Sequence, residues 1–162
     1  ARATIETYVS TGEIPDLPKD LPDEMYRQRA GAFVSIKENG SLRGCIGTIQ
    51  ATRASVAEEI LYNAISAAVK DPRFAPIEAD ELDKLVISVD ILGETEEIDA
   101  PDKLDVKRYG VIVTKGRKRG LLLPNLDGVD TVEEQIAIAK NKAGIRPEEE
   151  VRLERFEVIR HY

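Results

Sequence analysis

The chain has 162 residues, of which 42% are hydrophobic and 33% are charged, and its net charge is −7 at neutral pH. This size suits one globular domain or two small lobes. The acidic balance argues against a general nucleic-acid binder, because such proteins need a basic face to neutralise phosphates. With one cysteine and one histidine, an intrachain disulfide and the usual zinc sites are excluded.

No apolar run approaches the roughly 20 residues that a membrane-spanning helix needs, and the first residues lack the apolar core of a signal peptide. We therefore expect a soluble, cytoplasmic protein with no membrane partner. Ile5, Tyr8 and Val9 predict an amphipathic helix that ends at Gly12. We expect this helix to begin before Ala1.

The next part of the chain predicts a loop followed by a β-hairpin. Residues 13–24 contain three prolines, which disfavour a helix. A strand is predicted over residues 31–37, and Asn39-Gly40 predicts a tight turn because both residues accept positive φ. The return strand is then expected to run from Leu42 to Ile49.

A helix and a central strand are predicted after the hairpin. Ser55 and Glu58 have the spacing of a capping box, which predicts that the helix begins there. Pro72 disfavours helical geometry in the residue before it, so the helix should end by Lys70. Residues 85–92 are largely apolar and rich in β-branched side chains, which predicts a buried strand.

The second half of the chain predicts a further hairpin, a helix and a last strand. In chain order we expect an acidic loop (94–105), two hairpin strands (111–114 and 120–124), a capped helix (131–144) and a final strand (151–160) with a bulge near Arg155. Hairpins and short connections favour antiparallel sheets, so the predicted class is α+β.

The hexapeptide Leu42-Arg43-Gly44-Cys45-Ile46-Gly47 is the main candidate for chemistry. Its glycines leave Cys45 little steric cover, so a substrate can approach the sulfur. In a regular strand Arg43 would lie on the same face as Cys45, and a nearby cation favours the thiolate form. We therefore take Cys45 and Arg43 as candidate catalytic residues. The alternative is that Cys45 is a small buried hydrophobe and that the glycines serve only the hairpin.

The sequence offers no clear general base and no clear set of metal ligands to act with Cys45. His161 could act as a base only if the final strand lay beside the strand of Cys45, which we do not expect. Acidic clusters such as Glu94, Glu96 and Glu97 are typical of solvated loops, and no phosphate-binding glycine motif is present. No metal and no cofactor are expected.

Two further segments carry candidate binding residues. Asp71, Arg73 and Phe74 follow the central helix on a proline-stiffened loop, where an arginine can recognise a carboxylate or phosphate. Equally, Asp71 and Arg73 could form a pair that only pins the loop. The basic hairpin tip, residues 115–119, could contact nucleic acid or an acidic partner, although such tips are more often solvated turns. Pro124 is a weaker candidate at the end of that hairpin.

Several stretches of the chain together resemble the AMMECR domain family. They are the hexapeptide at 42–47 and the stretches 31–34, 71–76, 120–124 and 142–144. The resemblance covers essentially the whole chain. Many relatives carry an aromatic residue near Val129 and a cysteine in the last helix. This chain has neither, which puts a two-thiol redox mechanism in doubt.

The resemblance implies two unequal lobes with a cleft between them, each lobe built on a small antiparallel sheet with flanking helices. The larger lobe is expected over residues 1–97 and 148–162, and the smaller lobe over residues 98–147. The hexapeptide is expected to face the cleft. The residues expected to line the cleft are Leu42, Gly44, Ile46, Gly47, Asp71, Arg73, Phe74 and Pro124.

The implied function is binding of a large substrate or a protein partner, in a modification pathway with Memo-like and radical-SAM proteins. In the first hypothesis the domain is an enzyme or enzyme component, and Cys45 acts on that partner. In the second, it is a non-catalytic binding or scaffold module in which Cys45 is structural. The third hypothesis, which we rank last, is RNA binding through the tip at 115–119.

Overall fold

The computed structural model describes residues 1–162, and the chain divides into two compact units. The first unit comprises Ala1–Leu92 and Ile159–Tyr162, and the second comprises Gly93–Val158. Each sheet has four strands, and the predicted α+β class is confirmed. The smaller lobe expected over residues 98–147 lies inside the second unit, which extends further at both ends.

The first unit consists of a sheet with helices packed on one face. Its sheet has the strand order β2-β1-β3-β8. Its elements are the helices α1 (Arg2–Thr11), α2 (Asp23–Arg27) and α3 (Val56–Val69), a 3-10 helix (Ala79–Lys84), and the strands β1 (Ala32–Glu38), β2 (Ser41–Gly47), β3 (Leu85–Leu92) and β8 (Val158–His161), of which the first residue, Val158, falls in the second unit.

The local signals for the first hairpin and for α3 are confirmed. Asn39 and Gly40 have φ values of 52° and 80°, so both occupy the left-handed region that the tight turn requires. The hydroxyl of Ser55 accepts a hydrogen bond of 3.2 Å from the Glu58 N–H and so caps α3. The helix ends before Pro72, as predicted.

The core of the first unit lies between the sheet and α3. Val34 and Ile36 on β1 are fully buried, together with Ala64 and Ala67 on α3. Small alanine side chains let the helix approach the strands closely. A Cβ built on Gly44 would lie only 2.2 Å from the backbone oxygen of Ala67, so this glycine is required by the packing of α3 on β2.

β2 contains a bulge at Arg43. Ile36 pairs with Gly44, but the next residue, Lys37, pairs with Leu42, so Arg43 is an extra residue in the strand. The expectation that Arg43 and Cys45 share a face required a regular strand. The strand is not regular there, and the alternation between these two residues is interrupted.

The second unit is built on a sheet with the strand order β4-β7-β5-β6. The helix α4 packs on it over a core that includes Val111, Val113, Ala139 and Leu153. Thr131 and Gly144 cap α4 as predicted. The elements are β4 (Glu96–Ile98), a 3-10 helix (Pro101–Lys103), β5 (Gly110–Lys115), β6 (Lys118–Leu122), α4 (Val132–Ala143) and β7 (Arg152–Phe156).

Three predicted segments need correction. The loop expected over residues 94–105 contains β4, which is short and acidic but pairs with β7. The loop expected over residues 13–24 ends in α2, which begins directly after Pro22. The single strand expected over residues 151–160 is two strands separated by Glu157, and β7 and β8 belong to different sheets. The bulge expected near Arg155 is wrong, because that residue continues a regular register with β5.

No helix in the structure is both long enough and apolar enough to cross a membrane.

Candidate functional site

Cys45 lies on the face of the first sheet that points away from α3. It pairs across the hairpin with Ser35, and Ser35 in turn pairs with Ser88 on β3. Residues paired across antiparallel strands share a face, and successive residues alternate between faces. Because Gly44 faces the backbone of α3, Cys45 faces the other side. Cys45, Ser35 and Ser88 therefore form a polar row, which we call the Cys45 row.

The thiol and the backbone of Cys45 both have specific neighbours. Cys45 is a partly exposed residue, and its sulfur lies 3.4 Å from the hydroxyl oxygen of Ser35, within hydrogen-bonding distance. The Cys45 N–H donates to Oδ2 of Asp71 at 3.0 Å. The Cys45 carbonyl accepts from Nη2 of Arg73 at 3.3 Å. β2 is the edge strand of its sheet, so Asp71 and Arg73 supply the hydrogen bonds that a further strand would make.

Asp71 is a buried carboxylate at the centre of this arrangement. Its Oδ1 accepts from the backbone N–H of Arg73 at 3.1 Å and from Nε at 3.0 Å, and its Oδ2 accepts from Nη2 at 2.8 Å. The hydrogen bond from the Arg73 side chain, helped by the one from the Cys45 N–H, lowers the pKa of Asp71 to about 2, although burial opposes this. The carboxylate is therefore ionised at neutral pH.

Arg73 is the outward-facing member of the pair. Its side chain is 52% exposed, whereas that of Asp71 is 2% exposed. The hydrogen bond to Asp71 raises the pKa of the guanidinium. The guanidinium also lies 5.5 Å from the ring centroid of Phe74, the next residue. The Asp71–Arg73 pair holds the loop in place, as the structural interpretation of the sequence predicts. It also leaves the Arg73 cation at the surface, as recognition of a carboxylate or phosphate requires.

Arg43 has contacts that differ from those the sequence hypothesis gave it. Its Nε and Nη2 donate to the two carboxylate oxygens of Glu81 at 2.8 and 3.2 Å, and its Nη1 donates to the carbonyl of Ala75 at 2.8 Å. The hydrogen bond from Arg43 lowers the pKa of Glu81. The arginine that contacts Cys45 is Arg73, and Arg43 fixes the loop that follows Arg73.

The remaining candidate binding residues lie in different surroundings in the structure. Leu42 is exposed on β2, whereas Ile46 packs against the core. A Cβ built on Gly47 would lie 2.2 Å from the ring of Phe33, so this glycine makes room for an aromatic side chain. Pro124 is buried in the second unit, after β6.

His161 is far from Cys45 in the sheet. It belongs to β8, and the strand order β2-β1-β3-β8 places β8 and β2 at opposite edges. With strands about 4.8 Å apart, three steps separate the two residues by about 14 Å. A direct Cys–His pair is therefore incompatible with this fold. No group of three or more His, Cys, Asp or Glu side chains is arranged to hold a metal ion.

The basic hairpin tip between β5 and β6 is largely engaged within the second unit. Lys115 lies 3.3 Å from a carboxylate oxygen of Glu149, and Arg119 lies 3.6 Å from one of Glu154. Lys118 donates to the backbone carbonyl of Gly144, the residue that caps the end of α4, at 3.0 Å. Three of the cations at this tip are therefore offset or used by neighbouring acceptors.

Ser35 and Glu81 are site residues that the sequence interpretation did not find. Ser35 lies in a predicted strand but carries no motif of its own. Glu81 lies in the 3-10 helix, where its side chain also accepts from the Glu78 N–H at 2.7 Å. Local capping-box spacing was the available signal for Glu81, and it does not indicate the contact with Arg43.

Comparisons with known proteins agree over almost the whole chain. The AMMECR1 family model matches residues 1–161. A protein from Thermotoga maritima is 53% identical over 160 residues, covering 97% of this chain and 91% of that protein. A Clostridium acetobutylicum protein is 51% identical over 162 residues, or 99% of this chain, which spans only 34% of that longer protein. The crystal structure of an uncharacterised Pyrococcus horikoshii protein matches with a TM-score of 0.89 at 36% identity, covering 98% of this chain and 85% of that one.

Proposed function

We propose that this chain, which belongs to the AMMECR1 family, is a cytoplasmic recognition domain that binds a protein or another large substrate at a surface centred on Cys45 and Arg73. One observation carries the proposal. A buried carboxylate, Asp71, accepts from the backbone of Cys45 and from the side chain of Arg73, so that the partly exposed Cys45 and a half-exposed guanidinium are held together. Memo-like and radical-SAM proteins are the candidate partners that the family resemblance suggests.

The guanidinium of Arg73 retains donors for a ligand. Its Nε and Nη2 are used by Asp71 and by the Cys45 carbonyl. The Nη1 group, with two N–H donors, remains for a carboxylate or phosphate oxygen. Because the guanidinium is already fixed by its buried partner, less side-chain entropy is lost when a ligand binds.

We predict that Arg73→Lys weakens partner binding by about tenfold or more, because lysine keeps the charge but loses the planar donor fork. The measurement is calorimetric titration of the purified partner after recovery with the tagged wild-type domain. Arg108→Lys, a change at an exposed arginine of the second unit, is the matched control and should bind like the wild type. An Arg73→Lys variant that is folded and binds with unchanged affinity would contradict the proposal.

A second candidate function is Cys45-dependent chemistry on the bound partner. The observation that favours it is that Cys45 is partly exposed and that its sulfur lies 3.4 Å from the Ser35 hydroxyl. A free cysteine that serves only packing is usually buried. The binding-module hypothesis and the enzyme hypothesis use the same surface and differ in whether the Cys45 thiol reacts.

Alkylation kinetics separate these two functions. If Cys45 is reactive, iodoacetamide at pH 7 should modify the folded protein at least as fast as the urea-unfolded chain, as followed by intact mass. Cys45→Ser should remain unmodified and shows that no other group reacts. A thiol that is alkylated only after unfolding would remove the chemical hypothesis, and unchanged partner affinity of Cys45→Ser would then support a non-catalytic module.

RNA binding through the hairpin tip has the least support. Its cations are largely engaged by acceptors of the second unit, and the chain carries a net charge of −7. Such binding would weaken steeply as salt increases. The absence of a mobility shift with RNA at low ionic strength would exclude it.

A further inference from the structure

A second row of side chains lies beside the Cys45 row on the same open face of the first sheet. Lys37 pairs with Leu42 on one side and with Val86 on the other. Lys37 and Val86 are two residues from Ser35 and Ser88 on their own strands, so both rows share one face. We call the residues Leu42, Lys37 and Val86 the Leu42 row.

The Leu42 row exposes two large aliphatic side chains at the surface. Leu42 is 41% exposed and Val86 is 58% exposed. They lie on strands separated by one intervening strand, so their backbones are about 10 Å apart. The Lys37 side chain stands between them on the same face, so a ligand side chain would lie over its aliphatic stem and against both residues. One exposed aliphatic residue is ordinary, whereas two that flank a single position form a small apolar seat.

Two buried carboxylates at this face are each paired with an arginine. Asp71 is buried beneath the exposed Arg73. Asp90 shares the face, because it pairs with Phe33, and it is buried beneath Arg160, whose Nε donates to it at 2.6 Å. Only one of the two guanidinium groups is well exposed, since the side chain of Arg73 is 52% exposed and that of Arg160 is 18% exposed. A ligand at the Cys45 end of the face therefore meets the Arg73 guanidinium before it meets Asp71.

We infer that this face binds an extended acidic peptide segment, with an aliphatic side chain between Leu42 and Val86 and a carboxylate two residues away on Arg73. The inference rests on the proposed function and specifies its partner. Residues i and i+2 of an extended peptide point to the same side and are about 6.6 Å apart. The Leu42 row and the Cys45 row have that same separation. A second copy of this face is a poor occupant, since its cations would oppose one another.

The test is an NMR titration of the isotopically labelled full chain with three synthetic peptides. The probe is the capped peptide Gly-Ser-Leu-Ser-Asp-Ser-Gly, and its controls carry Lys in place of Asp or Ser in place of Leu. We expect saturable shifts of the amides at 42–45 and 86–88, with dissociation constants at least about fivefold higher for both controls. Shifts confined to other residues, no saturable shifts, or equal binding of the Lys peptide would overturn the inference.

Two substitutions at Val86 keep the test decisive. Val86→Glu adds a charge that repels the acidic peptide, and Val86→Thr removes apolar surface while keeping β-branching. Each should weaken binding of the Leu–Asp peptide. Ile159→Glu, at an exposed aliphatic residue of β8, is the matched control and should leave binding unchanged. Equal binding by a folded Val86→Thr and the wild type would overturn the apolar seat.

The outcomes also distinguish this inference from the proposed function. If Arg73→Lys loses the protein partner while both Val86 variants retain it, the recognition site stands and the aliphatic preference fails. If the Val86 variants lose the peptide while Arg73→Lys binds it unchanged, the apolar seat stands, whereas the carboxylate contact of the inference and the proposed centre at Arg73 both fail.

Discussion

Replacing Gly44 with alanine is expected to destabilise the protein by about 3 kcal/mol. A Cβ at this position would lie 2.2 Å from the backbone oxygen of Ala67, far inside the contact distance of carbon and oxygen. The obstructing atom belongs to the main chain of α3, so it cannot rotate away as a side chain could. Relief requires α3 to move away from β2, which opens the core that Ile36 and Ala64 share with it.

Urea denaturation followed by circular dichroism at pH 7 measures this effect. Ser41→Ala, at an exposed position of the same strand, is the matched control and should change the free energy of unfolding by less than about 0.5 kcal/mol. A loss below about 1 kcal/mol for Gly44→Ala would show that α3 can shift without cost. Gly44 would then need another explanation, such as close approach of a ligand.

Strong local signals in the sequence were sufficient to predict most of the helices and strands. The turn at Asn39-Gly40 and the caps at Ser55 and Thr131 are encoded by a few adjacent residues, and each is confirmed. The family resemblance is confirmed by the match over residues 1–161. The elements that were predicted wrongly are short or irregular. β4 has three residues, too few to show an alternating pattern, and the break at Glu157 has no local marker of a change of sheet.

The bulge at Arg43 explains why one neighbour of Cys45 was missed. Counting back from the turn at Asn39-Gly40 pairs Ser35 with Gly44, but the extra residue shifts the pairing so that Ser35 faces Cys45. The bulge accompanies contacts of Arg43 with a loop more than 30 residues away. No local pattern in the strand contains that information, so the register could not be predicted from the hairpin alone.

A similar cause explains why the sequence did not show which arginine contacts Cys45. Arg43 is near Cys45 in sequence, whereas Arg73 reaches Cys45 through the loop that follows α3. Both arginines were candidates, and the sequence could not show which one contacts Cys45. Arg43 is held by Glu81, and this contact was not foreseen because the two residues are 38 positions apart. The role of each residue in binding stays a prediction.

Replacing Asp71 with asparagine is expected to cost about 2 kcal/mol of stability at pH 7. The pKa of Asp71 is lowered from 3.8 to about 2 in the folded protein, and each unit corresponds to about 1.4 kcal/mol. Because the folded pKa lies below the unfolded value, the stabilisation is fully present above about pH 4. It is lost as the pH falls through the folded pKa near 2. The asparagine variant lacks this contribution at every pH.

The pH dependence therefore identifies the cause. Between pH 5 and pH 2 the free energy of unfolding of the wild type should fall by about 1 to 2 kcal/mol more than that of Asp71→Asn, so the two stabilities converge in acid. Urea titrations at several pH values measure both. Asp16→Asn, at an exposed loop position, is the control and should parallel the wild type. Parallel curves for Asp71→Asn and the wild type would mean that the Asp71 charge does not stabilise the fold. The loop that holds Arg73 beside Cys45 would then depend on packing rather than on this ion pair.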